Sequence, residues 1–179
     1  MKTFRLLAVL CLATSAIACG GPVEDDSSDL SADDMKVNAS EPITWVSMAQ
    51  KAGARYAKDS LLLHVDGQIG PTDGFSWSFT FADFSTGNWV TVQCDGKTAS
   101  VVEHHHSTAR PIGTTALQLP KVKVTVAKLM KVSAAQGMKG RVGSIELSQA
   151  LTADMHPHWF ITQGGKEIVV DADTGSVLN

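Results

Sequence analysis

Five of the six histidines fall into two short groups: His104-His105-His106 directly after Glu103, and His156 and His158 on either side of Pro157. On an extended chain residues two apart share a face. His104 with His106, or His156 with His158, can therefore offer two imidazoles to one zinc or copper ion. A zinc site takes about four ligands in tetrahedral geometry, so each group alone is incomplete and a full site needs the two to converge. Exposed polar residues at strand ends fit the same spacing. Cys94 alternates with polar residues in Val90, Val92 and Cys94, which suits a buried thiol better than a nucleophile, since a nucleophile needs a depressed pKa and a nearby base. No G-x-S-x-G occurs, and the glycine-rich stretch Gly67 to Gly74 lacks the lysine of a phosphate loop. Asp171 and Asp173 read as turn residues before they read as an acid-base pair. No catalytic residue is expected. Trp77 and Trp159 stand at matching places in two aromatic segments, where they either line a ligand groove or pack beneath a helix.

Before these groups comes an address. Lys2 and Arg5 precede the apolar run Leu6 to Leu12, and small residues lead to Ala16, Ile17, Ala18 and Cys19. This is the layout of a cleavable signal peptide, with an apolar stretch shorter than the ~20 residues of a spanning helix. Ala16 to Cys19 resembles the lipobox of bacterial lipoproteins, although Ala16 stands where that pattern has Leu. The resemblance implies a signal over 1–18, a palmitate-type acyl anchor on Cys19, and a place in the cell envelope; Gly20 implies the outer membrane. Cleavage after Ala18 with Cys19 as a plain thiol is the alternative. With Cys11 discarded and Cys19 acylated, only Cys94 is left in the body, so no disulfide forms there.

Charge then separates a tether from a body. Residues 19–41 carry seven acids (Glu24, Asp25, Asp26, Asp29, Asp33, Asp34, Glu41) against Lys36. Such a stretch buries too little apolar surface to offset its ordering entropy. From Arg110 to Arg141 the body has seven basic residues and no acid, which reads as a solvated helix face or an anion-binding one. A net charge of −3 gives no footprint for nucleic acid.

The body, residues 42–179, is expected to be α+β, built of two units over 42–106 and 107–179. Apolar residues spaced by three or four predict a helix over Ile43 to Lys58. Strands follow over Ser60 to Val65, Ser76 to Phe81, Asn88 to Cys94 and Thr98 to Glu103, with Asp95-Gly96 as a hairpin turn. The second unit repeats the order: a helix over Thr125 to Gln136, then strands over Ser144 to Ala150, His158 to Gln163, Glu167 to Asp171 and Ser176 to Asn179. The segment Val169-Val170-Asp171-Ala172-Asp173-Thr174-Gly175-Ser176-Val177 resembles the terminal hairpin of the PepSY family, whose pattern runs close to V-D-A-x-T-G-x-V. That resemblance implies cystatin-like units and a non-catalytic module that binds a protein or peptide in the envelope, including as a protease inhibitor. The rival expectation is a periplasmic protein binding zinc or copper through His104, His106, His156 and His158.

Overall fold

The computed structural model of the chain describes residues 41–69, 75–109, 115–150 and 155–178. The signal segment, Cys19, the acidic tether up to Ser40, residues 70–74, 110–114 and 151–154, and Asn179 lie outside the described residues. A 3-10 turn over Pro42–Trp45 leads into α1 (Val46–Gly53). Four strands follow: β1 (Leu61–Ile69), β2 (Phe75–Asp83), β3 (Asn88–Cys94) and β4 (Ala99–His106). A second 3-10 turn precedes α2 (Val126–Ala135), then β5 (Val142–Gln149), β6 (Pro157–Gln163) and β7 (Lys166–Asp171). The class is α+β, with the seven strands in one antiparallel sheet ordered β4-β3-β2-β1-β5-β6-β7. The two halves of the body thus meet at the β1·β5 pair, where Val65 lies opposite Leu147.

Period-two alternation decides which side faces the helices. In β6 burial alternates without a break from Pro157 to Gln163. One row of directly paired residues, Val92, Phe79, Val65, Leu147, Trp159 and Val170, crosses six strands. Every member is fully buried. Each such side chain contributes roughly 1.5–3 kcal/mol by leaving water, so this row and its neighbours supply most of the core. Val46 and Ala49 of α1 and Val126, Leu129 and Met130 of α2 close the same core.

Several boundaries differ from expectation. The first helix stops at Gly53 and does not run to Lys58. A Cβ at Gly53 would sit 3.1 Å from Val90 Cγ1, so α1 comes down on β3 at that glycine. The chain then turns, with Tyr56 and Ala57 both donating to the Gly53 carbonyl. Gly67, at the start of the glycine-rich stretch, lies inside β1 opposite the buried Trp77. The closing strand expected at Ser176 to Asn179 is a single bridge, Val177 to Val170, extended by the Leu178 N–H to the Val169 carbonyl.

Three turns use one device. Asp83 accepts from the Ser85 and Thr86 N–H groups, Asp95 from those of Lys97 and Thr98, and Asp171 from those of Asp173 and Thr174. These side-chain turns hold all three carboxyls below the usual carboxylate range. For Asp83 the leading cause is the Ser85 hydroxyl; for Asp95 it is the Thr98 N–H. At Asp171 burial pushes upward, and the Thr174 N–H and hydroxyl, the Asp173 N–H and the nearby His156 together outweigh it.

Candidate functional site

The two histidine groups stand far apart. Val90 pairs with His104 and Asn88 with His106, so His104 and His106 share the helix side of β4, as their spacing requires. His158 instead alternates with the buried Trp159 and faces away from the helices. Between β4 and β6 lie five strand steps, or about 24 Å at ~4.8 Å each, on opposite faces. The two groups do not converge on one ion, because the sheet itself separates them. Among the described residues no three His, Cys, Asp or Glu side chains are grouped to hold a metal ion.

At the β4 end, each imidazole has its own support. His104 stacks on Tyr56 with centroids 4.2 Å apart and planes 17° from parallel, and the Arg55 guanidinium lies 4.6 Å from the Tyr56 ring centre. On the other face His105 stacks on Trp89 at 5.8 Å, with Nδ1 3.6 Å from a Glu103 oxygen. His106 places Nε2 over Gly87, 3.1 Å from where a Cβ would be. Tyr56, Asn88, Trp89 and the three imidazoles line a cleft of about 130 Å³. Gly87 takes a left-handed φ of 74°, so the turn that frees this space also demands glycine.

On the far face His158 belongs to a different constellation. His64, Ser148, His158 and Asp171 form one row across β1, β5, β6 and β7. Ser148, His158 and Asp171 are the residue types of a hydrolase triad, but a triad needs the base bonded to both partners and donors for an oxyanion. Here His158 Nε2 is buried without a hydrogen-bond partner, and Asp171 Oδ1 is held by its own turn. His64 Nε2 lies 3.7 Å from Glu146 and His156 Nδ1 lies 4.0 Å from Asp171. Sequence reasoning missed His64 and Ser148 because only strand pairing brings them into line; their one sequence signal is alternation with Val65 and Leu147.

The remaining candidates resolve into structure. Trp77 and Trp159 are both fully buried and meet edge to face at 6.4 Å. The Trp159 indole N–H donates to the Val124 carbonyl at 2.9 Å. They line no groove, because alternation turns both indoles into the core. Cys94 is buried and its thiol is pushed up to about 11 by desolvation, with Asp95 adding to it, which keeps it protonated at neutral pH. Of the basic run, Lys123 pairs with Asp173 at 2.6 Å and Lys128 reaches the Thr174 carbonyl, so part of that charge is used to hold the second turn.

No protein-family model, curated protein or solved structure matches the chain. The site therefore has to be read from its own geometry. Its main asymmetry is in the two sheet edges. The β7 edge is covered over Val169–Asp171 by the Val177–Val170 bridge, the Leu178 to Val169 bond and the Asp171 to Ser176 bond. Along β4, no described segment adds a further strand. Val102 there is 54% exposed and sits at an irregularity in the β3·β4 register.

Proposed function

We propose that the chain is a lipid-anchored, non-catalytic module of the bacterial cell envelope that captures an extended peptide segment along β4. In this reading the two halves of the body are cystatin-like units of PepSY type, and the anchor is acyl-Cys19. The carrying observation is the β4 edge, whose outward N–H and C=O groups have no described strand beside them while β7 is covered over Val169–Asp171. An open edge is a template for strand addition, in which main-chain bonds give affinity and flanking side chains give selectivity. Edge strands are ordinarily protected by charges, prolines or bulges; β4 has no proline, and beside the charged Glu103 and the irregularity at Val102 it presents Val102 itself and three stacked or cleft-lining histidines. Inhibition of an envelope protease would follow if the captured segment belonged to the protease.

The test is selection of random extended peptides on the full chain, followed by amide hydrogen exchange with the selected peptide. The expected result is new protection at Ala99–His106 that is lost in Val102→Lys. Protection elsewhere, or equal binding by the variant, would remove the edge from the account. Mass spectrometry of the mature N-terminus tests the anchor separately, with a diacylglyceryl group on Cys19 as the expected species.

A further inference from the structure

Around β4 the donors of the helix side form a set that pairing with β3 completes. His104 and His106 lie two residues apart on one face, about 6.8 Å between Cα atoms for an extended strand. Asn88 of β3 is directly opposite His106 on that same face, and residues so paired have Cβ atoms ~4.5–5.5 Å apart. All three line the one cleft, together with Tyr56. Two imidazole rings and a side-chain amide thus lie at one corner of the sheet. Side chains at this backbone spacing are able to reach a single ion bound ~2.0–2.1 Å from each nitrogen.

We propose that His104, His106 and Asn88 form a surface site for one borderline-soft divalent cation, copper(II) or zinc(II), with solvent completing its coordination. Imidazole donors select such ions over magnesium and calcium, which take all-oxygen shells. Stacking on Tyr56 at 4.2 Å holds the His104 ring in place before the ion arrives, which lowers the ordering cost of binding. His106 keeps Nε2 in the space left by Gly87, where any side chain would crowd it. His105 borders the same cleft, but strand alternation puts its ring on the other face, stacked on Trp89 beside Glu103. The far-face histidines are a separate matter, being five strands distant. This site does not depend on peptide capture, since ligation uses side chains and strand addition uses the main chain.

The experiment is calorimetric titration of copper(II) and zinc(II) into the full chain in detergent, with Cys11 and Cys19 replaced by serine and the buried Cys94 retained. One equivalent is expected to bind, at least tenfold weaker in His104→Asn and in His106→Asn, and unchanged in His105→Asn. His156→Asn with His158→Asn should also leave it unchanged. All five positions are at the surface or partly exposed, and circular dichroism checks that each variant folds. Equal weakening by His105→Asn would mean a flexible histidine tract and not this site, and would overturn the proposal. Binding no tighter than about millimolar, or binding that follows His156 and His158, would overturn it as well.

Discussion

The two halves of the sheet end in the same turn and then do different things. After Asp95 the chain is bent by bonds from the Lys97 and Thr98 N–H groups, and after Asp171 by the equivalent bonds from Asp173 and Thr174. A left-handed glycine serves both turns, Gly96 at φ 87° and Gly175 at φ 85°. Beyond the first turn comes the eight-residue strand β4; beyond the second, only Val177 makes a bridge. The second turn is also tied from outside, because the Lys123 and Val124 N–H groups both donate to the Ala172 carbonyl and Lys123 pairs with Asp173. The first turn is instead packed against the Trp45 ring. Shared turn chemistry therefore does not fix an edge. One half spends its last segment closing the sheet, and the other leaves an accessible strand carrying histidines.

The largest expected effect tests whether the halves share a core at all. Trp159→Ala should lose roughly 3–5 kcal/mol, because the indole is fully buried and its N–H serves the Val124 carbonyl. Trp77→Ala should fall in the same range, given equal burial and the edge-to-face contact between the rings. Denaturant unfolding measures both, and a loss below about 1 kcal/mol in either would mean that half contributes little to the common core.

Next in size is a paired test of the two turns. Gly96→Ala forces a Cβ to 2.7 Å from the Trp45 ring on a left-handed backbone, for a cost of roughly 2–4 kcal/mol. Gly175→Ala meets the flexible end of Lys128 at 3.2 Å and Val124 Cγ2 at an ordinary contact of 3.5 Å, so the backbone cost of about 1–2 kcal/mol should dominate. Equal midpoint shifts in urea would show that Trp45 yields as easily as Lys128 does.

The smallest effect distinguishes the turns by pH. Asp95 and Asp171 have folded pKa values below the usual 3.8. Each therefore adds stability that is present above that value and is lost as pH falls through the lower folded pKa. Asp171 is partly buried and Asp95 is fully exposed, so solvent screens the latter. Asp171→Asn should flatten the acid limb of a stability-against-pH curve more than Asp95→Asn does. The reverse order would place the stronger interaction in the first turn.

Much of this was legible from local pattern. Alternation located β3 at Asn88–Cys94, the spacing in α2 placed Val126, Leu129, Met130 and Ser133 on the buried face, and Thr125 caps that helix by accepting from the Lys128 N–H. The end of α1 was not legible, because Gly53 is dictated by contact with Val90 from a strand far along the chain. At the site, the sharing of a face by His104 and His106 followed from spacing alone. The addition of Asn88, the stacking on Tyr56 and the row from His64 to Asp171 did not.

By itself the sequence determined the period of each segment, the turns and the faces, since these follow from φ/ψ preferences and from which side chains leave water. The tertiary structure alone decided which strand became an edge and which imidazoles became neighbours. Both depend on the β1·β5 pairing and the resulting strand order, set by contacts between residues far apart in the chain.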